Sequence, residues 1–209
     1  MLDEEINTDI DITAVDVDFW PLNKPFKAHK SFVSARFPGM QKDLQPDSDN
    51  HYRVQNVNPE AVWRFLKWCY IGDYPGDPDA RSNPEHDGGS WWRDKPESDV
   101  HLQLYALATR WDIPELKQTA VRKLRAFWDS ICGLDVDWND RSFINSAYQV
   151  FQTYADGDVD EDLRNEIVDA GTNFHSELKQ LDTEEFPCYR TLVEEVPRYT
   201  VALILRHDK

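Results

Sequence analysis

The chain has 209 residues and sets 39 acidic side chains against 23 basic ones, a net charge of -16. So acidic a chain repels phosphate backbones and anionic lipid headgroups, which excludes nucleic acid and membrane surfaces as partners and favours a basic face on another protein. Eight Trp and an aromatic content of 12% supply core material for one generous domain, or for a domain with a helical extension.

In chain order, residues 1–13 read as an acidic, loose segment with no apolar stretch of the kind a secretory signal needs. From Val15 the pattern alternates, with Val15, Val17 and Phe19 on one face and Asp16 and Asp18 on the other, which predicts a half-buried strand. PLNKP supplies a turn, and FKAHK continues as a second strand with Phe26 and Ala28 on one face, completing a hairpin. A helix is expected from about Ser31 to a break at Pro38-Gly39, then a short strand carrying Tyr52, Val54 and Val57.

Asn58 as N-cap and Pro59 in the first helical position open the next helix, and Gly72 ends it. Its apolar stripe is Val62, Phe65, Leu66, Cys69 and Tyr70, with Trp63 and Trp68 off the stripe. Residues 73–99, rich in Pro, Gly, Asp and Ser, form a long polar insertion that nevertheless holds the adjacent pair Trp91 and Trp92. Asp99 is the expected cap of a helix with stripe Val100, Leu104, Leu107, Ala108 and Trp111. Asp112 and Pro114 then start another, with Leu116, Ala120, Leu124 and Phe127 inward. After GLDVDWND three further helical patterns run through Phe143 to Tyr154, Leu163 to Leu181, and about Phe186 to Leu205 with an interruption at Pro197. Strands followed by helices give an α+β chain.

Three blocks carry a resemblance. DVDFWPLNKPFKAHKSFVSARFPGM resembles the opening of BTB/POZ domains, with Asp16, Phe19, Phe26, Ala28, His29, Lys30, Ala35, Arg36 and Pro38 matching in order and spacing. PEAVWRFLKWCYIGDYP looks like that family's helix ending in a Y-x-G-x-Y turn, and HLQLYALATRWDIPELKQTAVRKL is similar to its V-Y-x-L-A-x-K-Y-x-I-x-x-L-K segment. The resemblance covers residues 15–128. It implies a BTB/POZ domain over residues 14–128, short β-strands with a cluster of α-helices, followed by an α-helical extension over 129–209. That is the layout of the small stand-alone members abundant in filamentous fungi.

The resemblance implies a protein–protein interaction adaptor, in one version a substrate receptor for a cullin-3 ubiquitin ligase. The alternative is a self-associating scaffold or transcriptional co-regulator without ligase activity, a homodimer in the manner of the long members. Members that recruit cullin-3 often carry a hydrophobic-x-Glu motif ahead of the third strand, whereas QKDLQPDSDNHYR here contains no Glu. Met40 keeps an apolar side chain at the end of the F-P-G-M tetrad, and with Leu44 it joins the partner-binding candidates. Asp16 and Lys30 match the two positions that form a charged pocket near the subunit boundary of dimeric members; an ordinary salt bridge across the hairpin is the competing reading.

Chemistry-bearing motifs are sparse. His29 has no HxH or HExxH companion, and the resemblance makes it a structural residue of the hairpin. Cys69, Cys132 and Cys188 include no CxxC pair, which argues against a disulfide framework or zinc ribbon, and Cys69 sits on a core stripe. There is no GxSxG elbow or GxxxxGK[ST] phosphate loop, and DGDVDED (156–162) lacks EF-hand spacing and reads as a loop whose Asp160 caps the next helix. These readings give a non-enzyme without a cofactor or metal. No run approaches the ~18 apolar residues of a membrane span, so the expected compartment is cytoplasmic or nuclear. Trp91 and Trp92 either pin the insertion to the domain or anchor a partner, since burying one such ring is worth roughly 2–3 kcal/mol.

Overall fold

A computed structural model of the chain describes residues 9–15, 25–39, 46–48, 50–76, 97–131, 137–153, 159–180 and 189–207. The chain is α+β and divides into two compact units, Met1–Thr119 and Ala120–Lys209, the division falling within a helix.

In the first unit, β1 (Ile10–Val15), β2 (Phe26–Ala28), β3 (Pro46–Ser48) and β4 (His51–Gln55) form one sheet in the order β2-β1-β4-β3. β1 runs antiparallel to β2, with Ile10 opposite Ala28 and Ile12 opposite Phe26, and parallel to β4, with Ile12 opposite Tyr52 and Ala14 opposite Val54. Phe26–Ala28 does pair with a strand ahead of it, but the paired residues, Ile10–Ile12, belong to the segment read as loose. Ile10, Ile12 and Ala14 are buried apolar residues of β1, while the expected strand positions Asp16 to Phe19 lie outside the described residues. β3 is an unexpected strand; among the described residues it pairs only with β4, at an edge where Pro46 is tolerated.

The helices of this unit are α1 (Lys30–Arg36), α2 (Pro59–Ile71), α3 (Glu97–Arg110) and the start of α4 (Pro114–Ile131). α2 follows its local code. The Asn58 side chain accepts from the Glu60 N–H at 2.8 Å, Pro59 is the first residue, and Gly72 takes the left-handed conformation (φ 74°) with its N–H donating to the Trp68 carbonyl. Val62, Phe65, Leu66 and Cys69 are buried and Tyr70 is half-buried; Trp68 is buried too, with the Arg36 guanidinium over its ring at 5.4 Å. Phe37, Phe65 and Trp111 form the aromatic centre, with centroids 4.5 to 6.1 Å apart.

Two expected helix starts are corrected. α3 begins at Glu97, so Asp99 lies in its first turn rather than capping it. Asp112 closes α3 instead of opening α4: at φ 53° its N–H donates to the Thr109 carbonyl while the Ile113 N–H donates to Ala108, the paired bonds of a Schellman turn.

The second unit holds the rest of α4, α5 (Asp137–Tyr148) continuing into a π-helical turn (Gln149–Thr153), α6 (Glu161–Gln180), α7 (Tyr189–Glu195) and α8 (Pro197–His207). The Asp160 carboxylate accepts from the Leu163 N–H at 3.3 Å and caps α6, as expected. Trp128 packs edge-on against Phe143, and Phe151 against Tyr199. Gly171 in α6 lets the helices close: a methyl group there would lie 2.1 Å from the Tyr199 hydroxyl and 3.1 Å from the Phe143 ring. Bidentate ion pairs of Arg125 with Glu166 and of Arg206 with Asp169 join α4 and α8 to α6.

Candidate protein-interaction surface

Of the partner-binding candidates, only Lys30 is described; Asp16, Met40, Leu44, Trp91 and Trp92 lie outside the described residues. Lys30 is the first residue of α1, where His29 makes no side-chain capping bond. The missing cap comes from the sheet, because the Lys30 N–H donates to the carboxylate of Asp9 just ahead of β1.

Around Lys30 the structure assembles a group that the sequence reading had not joined. His29 donates its backbone N–H to the Tyr70 hydroxyl at 2.7 Å, and its Nδ1 lies 2.7 Å from the same oxygen. Phe32, one turn into α1, stacks on Tyr70 with centroids 4.9 Å apart at 19°. The His29 ring stands edge-on to both. Phe32 is nevertheless 49% exposed, and Ile71, which follows Tyr70 at the end of α2, is 67% exposed. Partial burial pushes the Tyr70 hydroxyl pKa up, against the opposing pull of the His29 backbone bond, and the neighbouring Cys69 and Asp9 add to the rise. Tyr70 therefore stays a neutral hydrogen-bonding phenol, and the ring stack is held rigid from behind by His29.

A second group was not expected from sequence. Arg64 in α2 is fully buried, its Nε donating to Glu60 Oε1 at 2.8 Å and its Nη2 to Glu97 Oε2 at 2.8 Å. Glu97 Oε1 also lies 3.3 Å from His101 Nε2, and His101 Nδ1 lies 3.1 Å from the Tyr74 hydroxyl. Burial works against the Arg64 charge, but the hydrogen bonds and charges of Glu97 and Glu60 outweigh it, and the guanidinium pKa rises. Glu60/Arg64 and Glu97/His101 are both i,i+4 pairs, the one signal available in sequence. The link between the two pairs spans 33 residues and has no local signature. The cluster ties Tyr74 at the start of the insertion to Glu97 near its end.

Cys69 is buried, and burial pushes its thiol up to about 12, so it is a packing residue rather than a nucleophile. Among the described residues, no three His, Cys, Asp or Glu side chains are grouped so as to hold a metal ion, and no helix is long and apolar enough to cross a membrane. Compared with known proteins, the chain matches no family model and no curated protein.

Proposed function

We propose that the chain is a protein–protein interaction adaptor built on a BTB/POZ-like domain, and that the Phe32–Tyr70–Ile71 surface is where it meets a partner. The observation that carries this reading is the preformed stack of an exposed Phe32 on a Tyr70 held by His29. An aromatic anchor whose rotamer is already fixed loses little entropy on docking, and aromatic side chains of this kind dominate binding energy at interfaces. Its residues fall in the FKAHKSFVSAR and WCYIGDYP stretches on which the family resemblance rests. In this reading the protein is not an enzyme and works in the cytoplasm or nucleus.

One version is a substrate receptor for a cullin-3 ligase. The other is a self-associating scaffold, favoured by the absence of Glu from QKDLQPDSDNHYR. Titration with the cullin-3 N-terminal domain and mass measurement in solution separate them. Binding at micromolar concentration supports the receptor, and a dimer that dissociates in Phe32→Glu supports the scaffold. A monomer that binds no cullin-3, and whose partners from its own cells bind Phe32→Glu equally well, overturns the assignment of this surface.

A further inference from the structure

The Phe32 surface carries a charge opposite to that of the whole chain. α1, with the sequence KSFVSAR, holds no acidic residue. The single acidic residue of α2, Glu60, is buried against Arg64. The charges that these two helices leave outside the core are therefore Lys30, Arg36 and Lys67, in a molecule whose net charge is -16. Arg36 follows Phe32 by one turn of α1, and Lys67 precedes Ile71 by one turn of α2. That spacing sets each cation beside an exposed apolar neighbour.

Both cations are held in place without being neutralised. The Arg36 guanidinium lies 5.4 Å from the centroid of the buried Trp68 ring and against the end of α2, where a Cβ on Gly72 would stand 3.3 Å from its Nη2. Lys67 Nζ sits 5.2 Å from the Trp63 ring centroid. A ring face orients a cation but leaves its charge whole. Among the described residues neither Arg36 nor Lys67 makes an ion pair, and the Arg36 N–H groups make no hydrogen bond. The flanking carboxylates are engaged elsewhere: Asp9 caps α1, and Asp73, next to Gly72, has an interaction of its own. The carbonyl ends of α1 and α2 offer Arg36 only partial negative charge. Its planar fork of donors is thus open to a carboxylate.

We propose that the partner meeting this surface presents an acidic segment, whose apolar side chain seats on Phe32 and Ile71 while an Asp or Glu carboxylate pairs with Arg36 and Lys67 attracts a second. The inference rests on the assignment of the Phe32 surface as the interaction site and adds the chemistry of what lands there. It reverses what the net charge alone favours, a basic face. At contact the local charges decide, because a Debye length of about 8 Å at physiological salt screens the distant carboxylates more than it screens a touching pair. Apolar anchors then supply affinity and the charge supplies selectivity. A second copy is a poor occupant, because two-fold pairing turns this cationic surface on itself.

Selection of a displayed library of random peptides against the full chain tests the proposal, with fluorescence anisotropy to measure the affinity of the peptides that emerge. The unaltered chain enriches Asp or Glu within a few positions of Phe, Trp or Leu, and Arg36→Glu enriches Lys or Arg in their place. Phe32→Glu and Arg36→Glu, with circular dichroism checking that the helices are retained, each weaken the best acidic peptide by about tenfold or more. Arg36→Gln, which removes the charge without reversing it, weakens the peptide less than Arg36→Glu does. Enrichment of basic or uncharged peptides overturns the acidic partner. So does an affinity that Phe32→Glu abolishes and Arg36→Glu leaves unchanged; that result keeps the surface and drops only its charge preference. Peptides indifferent to Phe32→Glu bind elsewhere and overturn the surface assignment as well. A library from which nothing is enriched overturns the inference, and so does a dimer that Phe32→Glu dissociates, which gives the surface to a second copy.

Discussion

Replacing Gly171 by Ala in α6 separates intrinsic helix preference from packing. In an open helix the change is favourable by about 1 kcal/mol, because Gly has more backbone freedom to lose. Here the new methyl group meets the Tyr199 hydroxyl at 2.1 Å, more than 1 Å inside ordinary contact, and the Phe143 and Tyr199 rings at 3.1 and 3.2 Å. Overpacking of this kind costs about 1–3 kcal/mol. With a displacement this large the upper end applies, so the net loss is about 2 kcal/mol after the propensity gain. Tyr199→Phe removes the offending oxygen and leaves only the 3.1 and 3.2 Å contacts, which relax with shifts of a few tenths of an ångström. In that background Gly171→Ala is close to neutral, giving a coupling energy of about 2 kcal/mol. Urea unfolding of the four proteins, followed by far-UV circular dichroism, measures the cycle. Additive effects within about 0.5 kcal/mol refute the argument, since they mean that the hydroxyl does not lie over Gly171.

Arg64→Ala leaves the Glu60 and Glu97 carboxylates buried without their guanidinium and lowers stability by about 3–5 kcal/mol, read by denaturant unfolding. Gly72→Ala places a side chain at φ 74° and costs about 1 kcal/mol, whereas Gly72→Asn costs less because Asn tolerates that conformation. In a Cys132→Ser/Cys188→Ser protein, Cys69 stays unreactive toward a thiol reagent at pH 8 and reacts once urea unfolds the chain, because its folded thiol titrates near 12. The Arg206 hydrogen bond holds the Asp169 carboxyl below its ordinary value, so the pair stabilises the fold above about pH 4 and loses that contribution as pH falls toward the lowered folded value. The stability difference between wild type and Arg206→Gln should therefore be small at neutral pH, shrink in acid and shrink in high salt.

Helix α2 was legible because every signal within it agrees: Asn58-Pro59 to start, a 3.6-residue apolar stripe, and Gly72 to stop. The strand Ile10–Val15 went unread in a segment taken as loose, because the sequence offers two phases of alternation. Ile10, Ile12 and Ala14 occupy one phase and Val15, Val17 and Phe19 the other, with the change falling at TAV. Local pattern cannot choose between them; parallel pairing with β4, a contact about forty residues away in sequence, makes Ile10, Ile12 and Ala14 the core face. β3 was invisible for a related reason. Pro-Asp-Ser has no strand propensity of its own and is extended only because the adjacent β4 offers it an edge.

The proposed interaction surface was legible one residue at a time but not as a surface. His29 was set aside as structural, and its bonds to Tyr70 place it behind the ring stack, where it orients without being presented. Tyr70 was assigned to the buried stripe by periodicity. It is the stripe's last member, at the end of the helix where burial gives way, and there it becomes the floor on which Phe32 lies. Periodicity describes a helix against an average core and therefore misreads the positions where the core runs out. The same reasoning applies in α8, where Val201 and Leu205 continue a helical pattern yet face away from Tyr199 and Leu203. In both units, apolar residues are left exposed on helices whose inner faces are already filled. An apolar side chain on the second face of a filled helix adds nothing to the fold, so what it contributes must be read from binding rather than from stability.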